Sequence, residues 1–264
     1  MKFSHKISIA LSGAVAISAI AQPTPVFAIS AQGQSSFVLT QTKAEDFFIL
    51  GEAKYKKGDY QGALAAYSQA IVLNPNYAQA YNNRGVACAD LGDKQGAVVD
   101  FNQALRINPN DANAYTNRGV ARADLGDKQG AVADFNQALQ INPNLAQAYN
   151  GRGVARRGLG DKQGAVADFN QALQINPNYA NAYNNRANAR SDLGDKQGAV
   201  ADFNQALRIN PNLAVVYLNR GITRADLGDK QGAIQDFQKA ADLFQKQGDR
   251  DSYQKVLDNL RRLQ

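Results

Sequence analysis

Histidine and cysteine are almost missing from this chain. His5 is the only histidine, Met1 the only methionine and Cys88 the only cysteine, and there is no tryptophan. A metal site built from His and Cys is therefore excluded within one chain. Ser-His and Cys-His nucleophile pairs are excluded once the first residues are removed, and no intrachain disulfide can form. Basic clusters are missing too. The formal charge is +6, and loss of Lys2 and Lys6 leaves about +4, spread evenly without a basic run. Nucleic-acid recognition calls for a clustered stripe, so no nucleic-acid partner is expected.

Acidic residues are absent before Glu45. Lys2 and Lys6 precede an apolar run from Ile7 to Ala21, then come Pro23, Pro25 and the small-residue site Val26-Phe27-Ala28. The run is short for a membrane span, so residues 1–28 are expected to be a cleaved export signal, leaving no span in the mature chain. An uncleaved anchor is the alternative. Residues 29–43 are Ser-, Gln- and Thr-bearing with no period and are expected to be a flexible connector.

What the chain has in abundance is repetition. The phrase LGDKQGAVxDFNQAL starts at Leu91, Leu125, Leu159 and Leu193, with a looser copy at Leu227, a period of 34 residues. A fixed period of this size signals stacked helical hairpins, each burying its apolar face against the next. Positions are counted from Ala44, Ala78, Ala112, Ala146, Ala180 and Ala214. Position 4 is aromatic, from Phe47 to Tyr217, and position 24 likewise, from Tyr67 to Phe237. Position 8 is Gly or Ala, and positions 20 and 27 are Ala throughout, small enough to let two helices approach closely. Gly92, Gly126, Gly160, Gly194 and Gly228 suit left-handed helix caps, and the Asp that follows each suits an N-cap. Asn-Pro pairs then stop the second helix.

These positions resemble the tetratricopeptide repeat, in six units: 44–77, 78–111, 112–145, 146–179, 180–213 and 214–247. The resemblance implies an all-α fold, a right-handed α-solenoid (superhelix) of stacked antiparallel helix pairs whose first helices line a concave groove. Residues 248–264 begin with a GDRD turn. Tyr253, Val256, Leu257, Leu260 and Leu263 then recur at helical spacing, which predicts a capping helix that closes the last apolar face.

Two positions depart from the family pattern. Position 7 is Arg84, Arg118, Arg152, Arg186 and Arg220, and position 11 is Arg122, Arg156, Arg190 and Arg224, in the middle of the face that should pack. Position 23 is Asp100, Asp134, Asp168, Asp202 and Asp236, so Arg–Asp pairs between first and second helices, within or across repeats, are predicted. The alternative is a grip on an acidic ligand. Cys88 holds position 11 of its repeat. It reads as a small buried residue, with an intermolecular disulfide or redox-sensitive thiol as the alternative.

At about 100° per residue, positions 2, 6, 9 and 13 form one stripe opposite the packed face. Position 6 gives a row of Asn83, Asn117, Asn185 and Asn219, and position 13 gives Asp90, Asp124, Asp192 and Asp226. A carboxamide both donates and accepts, so such a row can hold an extended chain with little regard to its sequence. It resembles the asparagine ladder in the repeat domain of O-linked N-acetylglucosamine transferase. The Asp row favours ligands bearing Lys or Arg. Asn188 lies in the same stripe. In the repeat 146–179 both rows break at Gly151 and Gly158, beside Arg157, which reads as drift or as a notch next to a fixed cation. The basic residues of the family's dicarboxylate clamp are not present.

The expected function is an exported interaction scaffold, monomeric, without cofactor or metal, binding a protein or peptide partner in the concave groove during assembly of an envelope or lumenal complex. A glycan or small-ligand module on the same groove is the alternative. An all-carboxylate enzyme is third, because the Asp residues recur at identical positions, as structural roles require. Repeats worded NRGxARxDLGD with GAxxDF resemble those of cyanobacterial proteins, which implies periplasm or thylakoid lumen, with the extracellular space as a further compartment.

Overall fold

In the computed structural model the described residues are 43–263, so the expected export signal and most of the expected connector lie outside them. Thirteen helices fill this range. Six antiparallel pairs come first: α1 (Ala44–Lys56) with α2 (Tyr60–Leu73), α3 (Ala78–Asp90) with α4 (Lys94–Ile107), and α5 (Ala112–Asp124) with α6 (Lys128–Ile141). They continue as α7 (Ala146–Gly158) with α8 (Lys162–Ile175), α9 (Ala180–Asp192) with α10 (Lys196–Ile209), and α11 (Ala214–Asp226) with α12 (Lys230–Gln247). The last helix, α13 (Arg250–Leu263), packs on α12 and α11. The architecture is an α-solenoid.

The punctuation between helices is chemical. Gly92, Gly126, Gly160, Gly194 and Gly228 have φ between 84° and 92°, a conformation that costs other residues dearly. The following Asp side chains accept the backbone N–H three residues on, as in Asp93 from Gly96 at 2.8 Å and Asp127 from Gly130 at 2.8 Å. This explains a second glycine in each copy. A Cβ on Gly130 would lie 2.1 Å from Asp127 Oδ2, so the capping carboxylate leaves room only for hydrogen. At the other end Asn108, extended before its proline, stops α4.

The core is made of small residues and rings. Phe101, Phe135, Phe169, Phe203 and Phe237 are fully buried, as is Tyr67, each against the small residue at position 8. The position-4 tyrosines are only half-buried. Their rings carry the position-7 guanidinium groups, as Arg118 over Tyr115 at 5.3 Å. Position 3, absent from the sequence reading of the core, is fully buried Ala80, Ala114, Ala148 and Ala182. On α13, Val256 is fully buried, and Tyr253, Leu260 and Leu263 pack on Phe237, Ala240 and Phe244.

First helices touch across repeats: α3 with α5, α5 with α7, α7 with α9 and α9 with α11. Their close approach puts the odd-numbered helices on the inner side of the curve. Position 2 and position 13 residues on this side are exposed, and the position-6 asparagines are half-buried.

Candidate functional site

The inner stripe runs along α3, α5, α7, α9 and α11. Its middle row is apolar: Val120 is 40% exposed, Val154 44% and Ile222 40%, with Val86 half-buried at one end and half-buried Asn188 interrupting on α9. Exposed aliphatic side chains in a row on a curved inner wall are available to an incoming apolar surface.

The asparagine row flanks it and is hydrogen-bonded across repeats. Asn117 Nδ2 donates to Asn82 Oδ1 at 3.0 Å, Asn185 to Asn150 at 3.0 Å and Asn219 to Asn184 at 3.4 Å. Asn82 in turn donates to Asn83 Oδ1 at 3.2 Å. Position 5 thus orients position 6 of the next repeat, a link the sequence reading lacked. Each carboxamide keeps further donor and acceptor capacity for a ligand. At the break, Thr116 donates back to Ala112 O at 2.8 Å, and Gly151 offers no side chain. The ring of Phe135 fills that space: a Cβ on Gly151 would lie 2.5 Å from Phe135 Cζ. Gly158 is covered by the Lys128 stem, whose Nζ donates to Gly158 O at 3.0 Å.

The aspartate row is occupied by the chain itself. Asp90 accepts from Tyr55 Oη at 2.5 Å, and Asp124 pairs with Lys94 at 2.9 Å. Asp192 pairs with Arg157 at 2.6 Å, and Asp226 with Lys196 at 3.0 Å. Every partner comes from the preceding repeat. Arg157 is therefore a paired cation, and the row offers a ligand less negative charge than its composition suggests. Burial first, then the hydrogen bond to Asp90, pushes the Tyr55 hydroxyl far up, so it stays protonated and donating.

At one end of the stripe Asn83 and Val86 join Glu52, Tyr55, Lys56 and Tyr67 around a cavity of about 130 Å³. Tyr67 is the one hydroxyl-bearing ring at position 24. Burial raises its pKa, and a hydrogen bond with Asn83 partly offsets this.

On the packed side of the same helices the predicted Arg–Asp pairs form within each of the five repeats from 78–111 to 214–247. Arg84 reaches Asp100 by Nε at 2.8 Å and Nη2 at 2.6 Å, and Arg152 reaches Asp168 at 3.0 and 2.6 Å. Arg118, Arg186 and Arg220 repeat the fork on Asp134, Asp202 and Asp236. In the four repeats that carry Arg at position 11, this guanidinium adds a further partner to the acid, as Arg156 to Asp168 at 2.9 Å. The remaining Nη1 of position 7 crosses to the previous repeat, as Arg118 to Asn102 and Arg152 to Asn136, both at 2.7 Å. These groups are part of the scaffold. Among the described residues no cluster of three His, Cys, Asp or Glu side chains could hold a metal, and no helix is long and apolar enough to cross a membrane.

Family models agree with this frame. The tetratricopeptide repeat matches residues 78–111, 112–145, 146–179 and 180–213, a further tetratricopeptide repeat model matches 214–247, and a TPR repeat model matches 51–92. No curated protein matches the chain in sequence. Among solved structures it is similar to PilW, a widely conserved type IV pilus biogenesis factor, with 23% identity over 81% of this chain and 98% of that one, TM-score 0.73. It is similar to a chain of the APC/C hetero-tetramer Cut9–Hcn1, with 18% identity over 84% of this chain and TM-score 0.76, and spans 43% of that chain's length. YrrB, a TPR protein with an unusual peptide-binding site, matches with 21% identity over 73% of this chain and 98% of its own, TM-score 0.54. At these identities the likeness is one of fold. The chain belongs to the tetratricopeptide repeat family.

Proposed function

We propose that this chain is an exported, non-catalytic scaffold that holds an extended polypeptide along the inner face of its repeats. The observation that carries this reading is the half-exposed apolar row Val120, Val154 and Ile222 beside the carboxamides of Asn83, Asn117, Asn185 and Asn219. Apolar side chains of a partner bury against the first, and its peptide groups bond the second, so affinity depends weakly on partner sequence. The pair α1 and α2 serves as a sixth repeat. It keeps Phe47, Gly51, Ala63, Tyr67 and Ala70, with Gly58 at φ 77° and Asp59 accepting from Gly62 N at 2.8 Å.

The scaffold acts as a monomer in periplasm, thylakoid lumen or extracellular space, in the assembly of an envelope or lumenal complex. Lys2, Lys6 and the run Ile7–Ala21 support export. Cell fractionation with intact-mass measurement tests it. An exported chain starting near Ile29 agrees, and a full-length chain confined to the cytoplasm contradicts it. Groove binding is tested by selecting peptides from a display library and measuring their affinity for the Asn83/Asn117/Asn185/Asn219→Ala variant. Weakened binding supports the carboxamide row, and unchanged affinity removes it from the account.

A further inference from the structure

In four repeats the position-11 arginine occupies a repeated setting. Arg122 Nη1 lies 3.0 Å from Asp134 Oδ2 and 3.5 Å from Gly130 O, with its Nε 3.9 Å from Asp127 Oδ2. Arg190 and Arg224 repeat all three relations, at 2.8, 3.4 and 3.7 Å and at 2.9, 3.4 and 3.6 Å. The chain itself therefore shows what surrounds a guanidinium there: the position-23 carboxylate in direct contact, the capping carboxylate 3.6–3.9 Å away and, for Arg122, Arg190 and Arg224, the carbonyl of the N3 glycine at 3.4–3.5 Å.

The repeat 78–111 has the same acceptors in Asp100, Asp93 and Gly96, but Cys88 stands where the arginine would be. A cavity of about 330 Å³ opens at this place, lined by Cys88, Asp100, Gly96, Arg84, Ser68, Leu64 and Val99. Asp100 is only 5% exposed. Among the described residues it pairs with Arg84 alone, whereas Asp134 pairs with both Arg118 and Arg122. The local charge differs accordingly. Two carboxylates face one guanidinium here and two elsewhere. Val99, 65% exposed where the next three repeats have Ala, and Leu64 give the mouth an apolar wall suited to an alkyl stem.

We propose that the cavity between α2, α3 and α4 is a binding site for one alkylguanidinium group, seated on Asp100, Asp93 and the Gly96 carbonyl as the arginines of the other repeats are. The cation is the side chain of an arginine in a partner polypeptide or a free small guanidine. Its planar fork matches the carboxylate better than an ammonium does. The site lies on the side of α3 away from the inner stripe, so it stands or falls independently of peptide binding there.

The test titrates the full chain with ethylguanidinium chloride, well below denaturing concentration, following the backbone amide signals of Cys88, Gly96, Val99 and Asp100 by NMR. Ethylammonium at matched ionic strength is the control. Saturable shifts confined to these residues, with affinity about tenfold above ethylammonium, are expected. The Cys88→Arg variant, which supplies the guanidinium from within, is expected to raise Tm and to abolish those shifts. Because Asp100→Asn risks unfolding, Cys88→Arg is the deciding variant. Non-saturating shifts, equal response to ethylammonium, or unchanged binding in Cys88→Arg overturns the proposal. A capped arginine peptide that binds more tightly than ethylguanidinium assigns the cation to a partner chain, and equal affinity assigns it to a free guanidine.

Discussion

Arg152 and Asp168 form a two-pronged bond, Nε to Oδ2 at 3.0 Å and Nη2 to Oδ1 at 2.6 Å, and Arg152 Nη1 reaches on to Asn136 in the previous repeat at 2.7 Å. One side chain thus ties the two helices of its own pair and the pair before it. Asp168 is 2% exposed and also accepts from Arg156. Its removal leaves two guanidinium groups without their anion. Asp168→Ala is expected to cost roughly 3–5 kcal/mol, read by urea unfolding. An unchanged midpoint would show that the pair does not stabilise the array. Restoring shape without charge, as Arg152→Met, Arg156→Met and Asp168→Leu together, is expected to recover most of the loss, since apolar replacements of buried ion clusters often match them.

The capping glycine makes a second case. Gly130→Ala is expected to displace the Asp127 carboxylate from its bond to residue 130 and to cost about 1 kcal/mol, the worth of a cap. Asp127→Ala removes the same bond. Thermal unfolding of the double variant is expected to lose little beyond either single one, and full additivity would show two separate causes.

Cys88 gives a pH-dependent prediction. Burial first, then the Asp100 and Asp93 charges, pushes its thiol above the ordinary 9.0. The folded state therefore favours the protonated thiol. Its contribution to stability is complete below pH 9.0 and is lost as pH rises through the raised value. Cys88→Val is expected to flatten that part of the stability profile. At pH 8 the native thiol is expected to react with a disulfide reagent far more slowly than in urea. Equal rates would contradict the burial account.

The aspartate row yields a weak effect by design of its partners. Asp124 and Asp226 sit in half-exposed pairs with Lys94 and Lys196. Such pairs contribute about 0–1 kcal/mol. Asp124→Asn with Asp226→Asn is expected to leave both stability and the charge preference of selected peptides nearly unchanged. A strong loss of Lys- or Arg-bearing peptides would restore the row as a recognition element.

Much of this was legible in the chain because its cause lies within one helix pair. Asp134 recurs in step with Arg118, and both fall on faces that a helical wheel turns toward each other. The links across repeats were not. Asn102 to Arg118, Lys94 to Asp124 and Asn82 to Asn117 depend on how far one pair is rotated against the next, which no within-helix spacing records. The same limit applies to Arg157, read as a cation beside a notch or as drift, whose partner Asp192 comes from the next repeat. Of the two readings of Gly151, drift or a notch, the notch arose because sequence shows the missing side chain and not the Phe135 ring that fills its place.

The inner row itself is the most direct object of test. A peptide selected from a display library against this chain is titrated into the wild type and into Val120→Asp, Val154→Asp, Ile222→Asp, by fluorescence anisotropy. These side chains are exposed, so the fold is expected to survive, as circular dichroism will show. The account predicts at least about a tenfold loss of affinity, from buried apolar contact replaced by a desolvated charge. Equal affinity in the folded variant would place the partner elsewhere on the molecule.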